Sequence, residues 1–113
     1  KEAEKIILKS AILYKSDQAY ADIGLLALEN NELEKAKEYF IKALDINPFN
    51  TQANKSLYEI LIKENNLNEA FEYLKNYVLY SKDAKYLPDL IEISDKLGFF
   101  EFSKKLKERL KNF

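Results

Sequence analysis

Apolar side chains recur along this chain at intervals of three and four residues, and short polar runs interrupt them at regular places. Tyr20, Ile23, Leu26 and Ala27 form one stripe, and Leu33, Ala36, Phe40, Ala43 and Leu44 form the next. A period near 3.6 belongs to a helix that buries one face. Between the two stripes, Asn30-Asn31-Glu32 has no apolar residue and breaks the pattern. Read in this way to the end, the spacing predicts seven helices, over about 2–15, 17–30, 33–46, 52–64, 67–81, 87–97 and 99–112. The boundaries carry their own signals. Asn31 with Glu34, and Asn66 with Glu69, have the spacing of a capping box. Pro48 disfavours helix at Asn47, so Asn50 or Thr51 can cap the helix that follows. Pro88 is tolerated in a first turn, and Gly98 closes the helix before it.

The pattern repeats. A shift of 34 places Asn31, Leu33, Ala36, Glu38 and Tyr39 on Asn65, Leu67, Ala70, Glu72 and Tyr73, and it aligns Ile23 with Leu57, Phe40 with Leu74 and Leu44 with Val78. A further shift of 33 or 34 maps Leu57 to Ile91, Leu67 to Phe100, Ala70 to Ser103 and Tyr77 to Leu110. Each copy is a pair of helices. The chain therefore divides into a half-repeat helix at 1–16, copies at 17–50 and 51–84, and a third copy with a capping helix at 85–113, all within one domain.

A period of 34 residues built from two helices resembles the tetratricopeptide repeat family, and 17–50 carries the resemblance most fully. Tyr20, Ile23 and Gly24 stand in the aromatic-Leu-Gly slots of the first helix; Ala36, Phe40, Ala43 and Pro48 match the Ala, Phe, Ala and Pro of the second half. The resemblance implies an all-α, right-handed solenoid of antiparallel helix pairs. In it Gly24 and Ala36 face each other where the helices approach closely, and Phe40 fills the gap beside them. The second copy departs from the pattern: Tyr58 and Tyr77 replace the small residues at 24 and 43, and Lys82 replaces the proline. A looser or differently tilted helix pair is expected there.

Composition narrows the function. Among 113 residues there is no His and no Cys, so nucleophile systems built on either residue, thiolate chemistry, disulfides and the usual zinc sites are excluded. No catalytic residue, cofactor or metal is implied. Eighteen basic against nineteen acidic side chains give a net charge of −1, which disfavours holding nucleic acid or anionic lipid by bulk charge. Residues 85–113 are locally basic, with seven positive and five negative charges, but that excess is too small to indicate nucleic acid and suits a solvated capping helix. Most of the eight Tyr and seven Phe fall at helical spacing and read as packing rather than as platforms for bases. Glu32, Glu34 and Glu38 lack the loop spacing of a calcium site. No uncharged run approaches the roughly 20 residues that span a bilayer, and no signal peptide is visible. Absence of Cys fits cytosol and periplasm alike. The chain starts Lys1-Glu2-Ala3-Glu4 in helical pattern and contains no Met, which reads as a piece of a longer protein.

Family resemblance also implies where a partner would bind. The first helices of stacked repeats form a concave face that takes a peptide or a partner helix. The inward positions are Gln18, Leu25 and Glu29 in the first copy, Lys55, Glu59 and Ile62 in the second, and Tyr86, Asp89, Ile93 and Lys96 in the third. Leu25, Ile62, Tyr86 and Ile93 would anchor the partner, while Lys55, Glu59 and Lys96 would set its register. The competing explanation is that Leu25 and Ile62, with Leu28 and Leu97, simply pack against neighbouring helices. Chaperone-binding members of the family clamp a terminal carboxylate with Lys, Asn and Arg; the matching positions here are Ala21, Leu25, Ser56, Tyr86 and Leu90, none of them cationic. The expected function is a non-enzymatic protein-interaction module. The alternatives are self-association into homo-oligomers through the ends of the stack, and a regulatory segment of a larger catalytic protein.

Overall fold

The computed structural model describes residues 2–111. Among these, seven α-helices and one short 3-10 turn account for the regular structure: α1 (Glu2–Tyr14), α2 (Asp17–Glu29), α3 (Leu33–Ile46), α4 (Thr51–Lys63), α5 (Leu67–Ser81), the 3-10 turn (Ala84–Tyr86), α6 (Leu87–Lys96) and α7 (Phe100–Lys111). The all-helical fold and the helix count expected from the periodicity are both present. The chain divides into two compact units between Leu57 and Tyr58, inside α4.

In the first unit α1 packs on α2, and α2 on α3. The pairing of α2 with α3 rests on size complementarity. A Cβ on Gly24 would stand 2.6 Å from Phe40 Cε1, closer than real Cβ contacts come, and Phe40 is fully buried, so its ring fills the space that glycine leaves. Ala36 and Ala43, also fully buried, keep the rest of that face of α3 thin. Tyr20 and Tyr39 stack beside it with ring centroids 6.1 Å apart. Ser16 starts α2 by accepting the amide of Ala19 on its Oγ at 3.1 Å.

The turn from α3 to α4 is tied back to the start of α2. Asp17 Oδ2 accepts from Asn50 Nδ2 at 2.8 Å and from Asn47 Nδ2 at 3.1 Å. Asn50 uses its Oδ1 to cap α4 through the amide of Ala53 at 2.9 Å, and the buried Asn54 donates to the carbonyls of Pro48 and Asn50. One polar cluster thus links positions 33 residues apart, close to the repeat length.

In the second unit one core joins Tyr58 and Leu61 of α4, Ala70, Phe71, Leu74, Tyr77 and Val78 of α5, Leu87, Leu90, Ile91 and Ile93 of α6, and Leu106 of α7. The size pairing of the first unit is inverted: where Gly24 faces Phe40, the positions 34 later hold Tyr58 and Leu74. The exit from the helix pair is rebuilt as well. Tyr77 donates its hydroxyl to Asp83 Oδ2 at 3.0 Å, Asp83 Oδ1 accepts the amide of Lys85 at 3.0 Å, and Lys82 ends α5 in the left-handed region at φ +59°. These contacts replace the proline turn of the first copy, and the 3-10 turn that follows has no counterpart in the periodicity.

The turns within each helix pair correct one expectation. Asn31 is not the cap of α3. It adopts φ +59°, Asn65 adopts φ +58°, and Gly98 adopts φ +84°, so each pair turns on a left-handed residue. Backbone bonds repeat with them: the amides of Glu32, Asn66 and Phe99 reach back to the carbonyls of Ala27, Leu61 and Ser94. The cap position is the next residue. Asn66 fills it by accepting the amide of Glu69, whereas Glu32 makes no capping bond through its side chain.

Candidate functional site

In the first unit the predicted residues lie along α2 and the start of α4. Gln18 is exposed, yet its amide is engaged: Nε2 donates to Asp22 Oδ1 at 3.0 Å, and Oε1 accepts from Asn50 at 3.4 Å. Leu25 and Lys55 are half-buried, and Glu29 is exposed in the last turn of α2. Alongside, Gln52 Nε2 donates to Ser56 Oγ at 2.8 Å. Polar groups on this face are largely matched to one another.

In the second unit four of the predicted residues come together. Ile62, Asp89, Ile93 and Lys96 line one cavity of about 300 Å³ with Tyr58, Asn65, Leu67 and Glu92. Helix geometry accounts for this: 89, 93 and 96 are spaced by four and three on α6, and 58, 62 and 65 by four and three on the end of α4 and its turn. The floor is apolar and the rim charged. Lys96 Nζ lies 3.2 Å from Glu92 Oε1, one turn earlier, which leaves the Asp89 carboxylate as the excess charge of the trio. Ile93 is only 5% exposed and belongs to the core, so it forms the floor and offers a partner little area. Glu59 is exposed and does not line the cavity. Tyr86 is half-buried and reaches the site indirectly: its ring meets that of Tyr58 edge-on at 6.1 Å and that of Tyr77 edge-on at 5.5 Å.

Tyr58 is the residue that sequence reasoning left out of the site. Burial, reinforced by the nearby carboxylate of Asp89, pushes its hydroxyl up to about 12, so it stays a neutral donor and acceptor at any ordinary pH. The signal was in the repeat: a bulky ring at the position 34 after a glycine must go somewhere, and here it forms one wall of the cavity. Glu92 was legible too, as the residue one turn before Lys96. No cluster of three or more Asp or Glu among the described residues could hold a metal ion, and no helix among them is long and apolar enough to cross a membrane.

Comparison with known families matches residues 17–50 to the tetratricopeptide repeat. That segment, α2 and α3 with the Asn47–Asn50 turn, is a tetratricopeptide repeat. No curated protein matches the chain. Repeats of this kind are generally non-catalytic scaffolds and point to protein–protein interaction as the class of function.

Proposed function

We propose that this chain is a non-enzymatic interaction module that docks a peptide or helix of a protein partner on the exposed faces of its first helices. Convergence of Ile62, Asp89 and Lys96, with Tyr58 and Glu92, on one open cavity between α4 and α6 of the second unit carries the reading. An apolar floor with a rim of both charge signs suits an amphipathic segment whose apolar side chain enters while its charged flanks pair with Asp89 and Lys96. In the first unit Gln18 and Glu29 are exposed and Leu25 and Lys55 half-buried along α2 and the start of α4, a mainly polar set that can make contacts of its own. The module contributes position and selectivity and performs no chemistry of its own.

The test is a double charge reversal. Asp89→Lys with Lys96→Glu should abolish capture of the partner by the immobilised chain while leaving the melting temperature within a few degrees, because Lys96 is exposed and Asp89 half-buried. Undiminished capture would move the site away from α6.

A second reading is self-association, favoured by one observation. Helix α1 buries Ala11 but leaves Ile6, Ile12, Leu13 and Tyr14 between 63% and 73% exposed, an apolar strip that a second copy could cover.

A further inference from the structure

The α4–α6 cavity contains a hydroxyl that folding has covered and left without a partner. Tyr58 lines the cavity, is 8% exposed, and has its ring set edge-on against that of Tyr86. Its hydroxyl makes no hydrogen bond to a described residue. Tyr77, whose ring meets the same Tyr86, is different, because its hydroxyl donates to Asp83 Oδ2 at 3.0 Å. A polar group taken out of water without a partner is destabilising, and phenylalanine would fill the same space without that penalty. The Tyr58 hydroxyl thus adds nothing to the core around it that the ring alone would not.

The groups that face this hydroxyl favour a donor. Burial and then the Asp89 carboxylate push it up to about 12, with Tyr86, Glu59 and Glu92 adding to the push, so it stays protonated. Asp89 is half-buried, lines the cavity, and has neither an ion pair nor a hydrogen-bond partner for its side chain among the described residues. The nearby cations are placed elsewhere. Lys96 Nζ is held by Glu92 at 3.2 Å, Lys85 lies over the Tyr86 ring at 5.5 Å from its centre, and Lys63 does not line the cavity. Nor does the start of α6 present free amides to an anion: the amide of Leu87 is bonded to the carbonyl of Ala84, and Pro88 has none. Asn65 adds one carboxamide, which can donate or accept.

We infer that the segment docked here carries a basic side chain, lysine or arginine, whose charged head donates to both the Tyr58 oxygen and the Asp89 carboxylate. This rests on the docking reading of the α4–α6 cavity proposed above and names the chemistry of its partner. The apolar neighbour of that side chain covers Ile62, Leu67 and Ile93. A cationic head satisfies the two unpartnered groups together, through charge-assisted bonds. An acidic side chain can accept from Tyr58 only by setting its charge beside Asp89, and an apolar one strips water from both groups and replaces it with nothing. Tyr58 is then a specificity-determining residue, whose ring serves the fold and whose hydroxyl serves the partner.

Amide NMR of the labelled chain tests this with three capped tripeptides, leucyl-X-leucine amides in which X is lysine, norleucine or glutamate. The lysine peptide should shift the amides of residues 89–96 saturably and bind about tenfold more tightly than the norleucine peptide, with the glutamate peptide weakest. Tyr58→Phe should reduce the preference for lysine to about threefold while the melting temperature stays the same or rises, since the hydroxyl has no partner to lose. Asp89→Asn should remove most of the preference. Saturable binding with equal affinity for the lysine and norleucine peptides would overturn the inference and leave the docking reading standing. No saturable shift with any peptide would overturn both. A clear fall in melting temperature for Tyr58→Phe would assign the hydroxyl to the fold, and an undiminished preference for lysine in that variant would take it out of the site; either result overturns the inference.

Discussion

Gly24 and Asp17 do most at the scale of single residues, for different physical reasons. At Gly24 the issue is space. Alanine in a helix interior is favoured over glycine by about 1 kcal/mol, but its Cβ would press on a ring that has no free volume to enter. Gly24→Leu should therefore cost about 3 kcal/mol and lower the melting temperature by about 10 °C or more. A neutral effect would mean that α2 and α3 do not approach as described. At Asp17 the issue is charge. The Asn50 amide holds its carboxyl below the usual carboxylate range, outweighing the upward push of partial burial, and Asn47 adds to the downward shift. A depressed folded value stabilises above the unfolded value and is lost as pH falls through the folded one. The gap in urea midpoint between the parent and Asp17→Asn should be widest near neutrality and close from about pH 4 downward. A gap that stays constant would assign the contribution of Asp17 to neutral hydrogen bonding.

At the scale of elements, caps and turns decide where each helix stops. Three turns place Asn31, Asn65 and Gly98 at positive φ, where Asn and Gly are the tolerated residues; the end of α5 uses Lys82 instead. Lys82→Gly should gain up to about 1 kcal/mol by removing that strain, and Gly98→Ala should lose about as much, since open space surrounds Gly98 and only the backbone objects. Thermal melts of the two variants should move in opposite directions; a fall for both would refute a left-handed Lys82. The helices themselves were legible from the 3.6-residue period, and α5 begins and ends where the pattern put it. The role of Asn31 was not, because a cap and a left-handed turn residue draw on the same small polar side chains and differ only in which neighbour the backbone reaches back to.

At the scale of the molecule, two compact units each keep a core, and the question is what else this chain binds. Sedimentation at low and high concentration should give a monomer if α1 is merely exposed, and a mass that rises with concentration if its strip pairs two copies. Leu13→Lys, on a side chain 67% exposed, should remove any such rise without unfolding the helix. The sequence by itself determined that the chain is helical and that its pattern recurs at 34 residues, because periodicity is a local property carried by residue order; the close approach of Gly24 and Ala36, with Phe40 beside them, was what the family resemblance of 17–50 implied. The same resemblance implied an inward face carrying Ile62, Asp89, Ile93 and Lys96, and these four line one cavity. Tertiary structure alone decided that Ile93 is buried in the core, that Glu59 is exposed outside the cavity, and that Tyr58 lines it. Burial depends on what neighbouring helices bring to a position, and one inverted pair, Tyr58 with Leu74 in place of Gly24 with Phe40, is enough to change which side chains are covered.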